Sequence, residues 1–141
     1  MSHKLTIDDG KRSLADHVAE KAMMIRKKYG TSIGWSGLQK LLNDSDAVRF
    51  PVRLEFDSNH VPEGSFGIAQ AVSETPSDGY TIFIHEYFRD KHESVFAMVL
   101  YHLVAVNYGD FATSYEAELF GSAVLGMDQE EYYQMLCRCA D

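Results

Sequence analysis

Val48-Arg49-Phe50-Pro51-Val52-Arg53-Leu54-Glu55-Phe56 lies near the middle of the chain and alternates without a slip, apolar residues at every even position. Successive side chains of a strand point to opposite faces, so this spacing predicts a strand with one face in the core and one in water. Pro51 has no N–H to give to a ladder, which puts the strand at a sheet edge or makes it irregular there. Downstream, a loop over 57–65 that holds Pro62 and Gly64 leads to Phe66-Gly-Ile-Ala-Gln-Ala-Val72, and a turn over 74–79 leads to Tyr80-Thr-Ile-Phe-Ile-His85. Connections this short predict that the three strands pair in sequence as a mainly antiparallel meander.

Outward from this sheet the period changes from two to about 3.6. Upstream, Leu14, Val18, Ala22, Ile25 and Tyr29 recur at helical spacing, with Ser13 and Asp16 placed to form a capping box and Gly30 to stop the helix. Arg26, Lys27 and Lys28 then suit the negative end of the helix dipole. A short helix from Ser36 would turn Leu38, Leu41 and Leu42 inward and end in Asn43-Asp-Ser-Asp46. Downstream, 91–108 is so apolar that a helix there must be buried. Thr113 with Glu116 forms a capping box for the next helix, which Gly126 closes, and Asp128 with Glu131 caps the last one, with Tyr132, Met135 and Leu136 inward. Helices, a small sheet, then three helices make an α+β fold. With no repeat, linker or low-complexity tract, one domain over 1–141 is expected, residues 1–10 reading as a flexible start.

Composition bounds the function. The 141 residues are 45% hydrophobic and 24% charged, a globular balance. Thirteen Lys plus Arg against twenty-one Asp plus Glu give −8, which speaks against nucleic acid or an anionic membrane as partner. The charge is uneven: residues 1–56 hold 10 basic and 7 acidic side chains (+3), residues 57–141 hold 3 and 14 (−11). Cys137 and Cys139 are too close to close a useful loop and read as reduced thiols; with a polar start and no long apolar run, a soluble cytoplasmic protein is expected.

The stretches Phe96-Ala-Met-Val-Leu-Tyr-His102-Leu-Val-Ala-Val106-Asn, Ser114-Tyr-Glu116-Ala-Glu118-Leu-Phe-Gly and Leu125-Gly-Met-Asp-Gln-Glu-Glu-Tyr132 resemble the catalytic half of zincin-type metallopeptidases, particularly small gluzincin-like domains. Such families follow a small mixed sheet with an apolar helix bearing His-Glu-x-x-His and then a helix of the type Glu-x-Ala-Asp/Glu-x-x-(Gly/Ala). The likeness runs over about 48–135 in element order and over a few positions in motif. Two histidines one turn apart can grip one Zn²⁺, a carboxylate from the later helix completes the set, and the Glu after the first His activates the bound water. Carried onto this sequence, His102 takes the place of the first histidine, Leu103 that of the general base, Val106 that of the second histidine and Glu116 that of the third ligand. Leu103 cannot accept a proton, and one His with one carboxylate falls short of the three ligands a catalytic zinc needs. The resemblance therefore implies a pseudoenzyme: a zincin-like fold that has lost catalysis and serves as a protein- or peptide-binding or regulatory module, taking an extended peptide in the groove beside the sheet edge and the His102 helix.

The alternative is a metal-dependent peptidase with a rearranged site of His102, Glu116 and a histidine from outside the helix, His60 or His85, because zinc would bind only if further side chains supplied the missing ligands. His92 is excluded from the same ion, lying about 15 Å from His102 along a helix axis. Taken residue by residue, His60 and His92 read as solvated and His85 as a turn residue bonding backbone. His102 reads first as a buried imidazole held by one hydrogen bond, its partner being Glu116 or Glu118, whose charge would raise its pKa. Glu116 is equally the capping-box residue, and Glu118 reads as solvated. Gly64-Ser-Phe-Gly67 lacks the Lys and the following helix of a phosphate loop. A homo-oligomeric scaffold is the third reading, left open by eight Tyr and eight Phe.

Overall fold

The structure is a computed structural model that describes residues 7–31 and 33–140. Its elements run α1 (Ile7–Tyr29), α2 (Trp35–Leu42), β1 (Val52–Phe56), β2 (Gly67–Ala71), β3 (Tyr80–Ile84), α3 (His92–Tyr108), α4 (Ser114–Leu125) and α5 (Gln129–Ala140). This is the expected α+β fold. Among the described residues no helix is long and apolar enough to cross a membrane.

Helix α1 turns Val18, Ala22 and Ile25 fully into the core and stops at Gly30, whose φ of 87° only glycine adopts at ease and whose N–H returns to the Arg26 carbonyl at 2.8 Å. It begins at Ile7, so Ser13 and Asp16 lie inside it and form no cap. A cap signal cannot end a helix whose preceding residues also tolerate helical geometry, and Gly10 costs only about 1 kcal/mol there. Of the polar start, residues 1–6 lie outside the described residues. After α2, with Leu38, Leu41 and Leu42 buried, Asp44 gathers the turn: one carboxylate oxygen takes Lys28 Nζ and the Tyr29 hydroxyl, each at 2.6 Å, and the other takes the Asp46 N–H at 2.9 Å. These donors hold the Asp44 carboxyl at about 2, the Lys28 ammonium being the largest cause.

The strand order is β1-β3-β2, with β1 parallel to β3 (Leu54 beside Ile82) and β2 antiparallel to it (Ala69 beside Ile82). The sheet is thus mixed and not a meander: β1 and β2, neighbours in sequence, lie on opposite edges. Burial explains the choice. Tyr80-Thr-Ile-Phe-Ile84 turns Ile82, Phe83 and Ile84 away from water on both faces, so it takes the centre, while the outer strands carry the polar alternates. Pro51 sits just before β1 on an edge, as its missing N–H requires, and its carbonyl accepts the Tyr80 N–H at 2.9 Å. The alternation over 48–51 is real but unpaired in the sheet. Ala47 and Val48 are buried, and Asn107 of α3 fixes them: its amide donates to the Ala47 carbonyl at 3.0 Å and accepts the Arg49 N–H at 2.8 Å.

Helix α3 is the spine of the domain, with ten buried residues and contacts to β2, β3, α4 and α5. Helix α4 opens on the expected capping box, Glu116 accepting the Thr113 N–H at 3.0 Å and the Thr113 hydroxyl, and closes at left-handed Gly126. Asp128 accepts the Glu130 N–H at 3.0 Å and so starts α5. Tyr132 of α5 is wholly buried, its hydroxyl donating to the Ala97 carbonyl of α3 at 2.7 Å. Gly121 of α4 makes room for that ring: a Cβ there would fall 2.1 Å from Tyr132 Cζ.

Candidate functional site

His102 lies on the face of α3 that meets β2. Its ring is set edge-on to Phe66 (centroids 5.4 Å apart) and to Tyr101 (5.6 Å), and its Nε2 is 3.1 Å from where a side chain on Gly67 would begin. The glycine lets strand and imidazole approach. Nε2 is buried and has no hydrogen-bond partner among the described residues. Burial pushes the His102 pKa down from 6.5 to about 4, the reverse of the expected carboxylate effect. Neither Glu116 nor Glu118 takes up this ring. Glu116, 5% exposed, spends its Oε2 on the start of α4, which is the capping role the sequence offered for it.

Leu103 and Val106, which the resemblance sets at the places of the general base and second ligand, are 0% and 2% exposed and part of the hydrophobic core. His60 lies flat on Phe83, 4.2 Å between centroids, with Nδ1 2.9 Å from an Asp57 carboxylate oxygen. It remains about half exposed, as expected of a solvated side chain, while making these two contacts. His85 bonds backbone as expected, its Nδ1 accepting the Tyr87 N–H at 3.1 Å. His92 opens α3 with its ring 5.3 Å from Trp35. Among the described residues no three His, Cys, Asp or Glu side chains stand together in a way that could hold a metal ion. The donor set does not fit zinc: one imidazole nitrogen closed in by strand backbone, a carboxylate committed to a helix cap, and alkyl groups between them.

Concavities lie along the sheet. Along β1, an open groove of about 890 Å³ is lined by Trp35, Phe56, Glu86, Arg89 and His92 among others. Where β2 begins, a smaller hollow of about 230 Å³ is lined by Phe66, Tyr101, Glu118, Tyr133, Leu136 and Cys137. The second adjoins His102 through the contacting rings of Phe66 and Tyr101, 5.9 Å apart and inclined at 76°. Glu118 is half-buried there and not on a solvated face; burial, and then the charge of Glu130, raise its pKa. Sequence reasoning passed over this hollow because its residues come from four separate segments. Its one local sign is the doublet Tyr132-Tyr133, of which a helix can bury only one.

No family model, curated protein or solved structure gives a match to this chain.

Proposed function

We propose that this protein is a non-catalytic, zincin-like binding module that holds an extended peptide along the outer edge of β2, beside helix α3. The observation that carries this reading is the position of β2: it has β3 on one side only, runs antiparallel to it, and lies against the helix that bears His102. An edge strand presents unpaired N–H and C=O groups to which a peptide can add as a further strand. The chemistry of a peptidase is missing from the same helix, since Leu103 and Val106 extend the core where a base and a metal ligand would stand. The reading is tested by titrating the ¹⁵N-labelled protein with blocked, β-prone pentapeptides. Amide shifts confined to 67–71 and the facing side of α3 are expected, and shifts confined to β1 or absent altogether would refute it.

A further inference from the structure

The hollow at the start of β2 has a composition that selects its occupant. Phe66, Tyr101 and Tyr133 contribute rings from the residue before β2, α3 and α5, α4 contributes the hydroxyl of Ser114 and a single carboxyl, Glu118, and Leu136 and Cys137 of α5 complete the lining. The rings of Phe66 and Tyr101 meet nearly at right angles and so form two walls of a box. Tyr133 remains 46% exposed, forming an outer wall that a ligand would cover.

Glu118 has no cationic partner among the described residues. The charged group that acts on it is Glu130, of like sign. The sequence explains the deficit, for between Lys91 and Arg138 there is no Lys or Arg at all, and that interval includes all of α3 and α4 and most of α5. A half-buried carboxylate among aromatic faces, with a second carboxylate near and no internal counter-ion, repels anions and gives little to a neutral side chain. It favours a compact cation, because ring faces attract an ammonium group and the carboxylate bonds it directly. About 230 Å³ accommodates an ammonium head on a short alkyl stem.

We infer that this aromatic box takes an ammonium group, presented by a lysine side chain of the peptide that lies on β2. The inference rests on the peptide-binding reading above and names its specificity. Phe66 immediately precedes Gly67, the first residue of β2, so a side chain leaving a peptide paired with that strand has the box directly within reach.

The test uses the full chain, ¹⁵N-labelled, with three probes: the blocked pentapeptide Val-Thr-Lys-Thr-Val, its norleucine counterpart, and methylammonium chloride against a sodium chloride control. The lysine peptide is expected to bind about tenfold more tightly than the norleucine peptide, shifting Tyr101, Glu118 and Tyr133 together with 67–71. That preference should vanish in Glu118→Gln and return in Glu118→Asp, with thermal unfolding showing that both variants are folded. Equal binding of the two peptides along β2 would overturn the ammonium box and leave the edge reading standing. Methylammonium shifts in the box with no peptide response on β2 would keep the box and overturn the edge reading. Silence from all three probes would overturn both.

Discussion

Replacing Gly121 by alanine adds one methyl group at the tightest contact between α4 and α5. The new Cβ would lie 2.1 Å from Tyr132 Cζ and 2.2 Å from its oxygen, far inside van der Waals contact. The ring cannot swing aside, being wholly buried and tied by its hydroxyl to the Ala97 carbonyl. Overpacking of this kind costs about 1–3 kcal/mol, and the strained hydroxyl bond adds about 1 kcal/mol. The better helix propensity of alanine returns about 1 kcal/mol, leaving a net loss of about 1–3 kcal/mol. At roughly 3 °C per kcal/mol for a chain of this length, the melting temperature should fall by about 3–9 °C. Thermal unfolding followed by circular dichroism measures the shift and urea unfolding the free energy, with Gly10→Ala as control, since Gly10 lies in α1 with nothing within 4 Å of an added Cβ. The control should gain up to about 1 kcal/mol. In a Tyr132→Leu background the cost of Gly121→Ala should fall by more than half, the signature of a direct clash. A Gly121→Ala protein as stable as the control would refute the packing of α5 on α4 described above.

Three further outcomes can be checked on the same protein. His102 has a folded pKa of about 4 against 6.5 free, so the unfolded chain binds the extra proton first as pH falls from 6.5 to 4, and stability drops over that window by roughly 3 kcal/mol. His102→Leu should remove that slope in urea titrations at pH 7, 5.5 and 4.5; an unchanged slope would contradict the burial. Asp44, its pKa lowered from 3.8 to about 2, stabilises the fold above pH 4 and ceases to do so as pH falls through 2, so Asp44→Asn should lose stability at pH 7 and flatten the curve between pH 4 and 2. Because Lys28, the main partner of Asp44, is about half exposed, a loss of no more than about 1 kcal/mol is expected from melting curves at pH 7. Stoichiometric Zn²⁺ added to tag-free protein should leave the melting temperature unmoved; a rise of several degrees that disappears in His102→Ala would restore a metal-dependent reading, since a ligand held only by the native state must stabilise it.

The helical half was legible because its signals are local. The capping residues Thr113, Glu116 and Asp128, the stop at Gly126 and the strongly apolar character of α3 each act within a few positions, and each works as its residue type requires. Pro51 announced an edge for the same reason. The sheet order was not legible, because it turns on a comparison between strands: Ile82, Phe83 and Ile84 need cover on both faces, and this outweighs the short connections that favour a meander. The start of α1 was missed because Ser13 and Asp16 carry a cap signal whatever lies before them. His102 was read with a carboxylate partner because Glu116 and Glu118 follow at plausible spacing, but sequence does not tell that one is consumed by its own helix and that the other faces the hollow below Tyr101. The hollow itself draws on positions 66, 101, 118 and 133, whose proximity is a product of the fold.

Asn107 binds two backbone groups 58 and 60 residues away, just ahead of β1. The amide proton of Arg49 therefore belongs to no ladder and yet is not free to exchange with solvent. It can leave only when α3 parts from the segment before β1, so its exchange rate is a built-in gauge of how often the helical layer lifts from the sheet. Beside amides within β3, whose protection reports the opening of the sheet itself, this single proton separates sliding of layers from melting of strands.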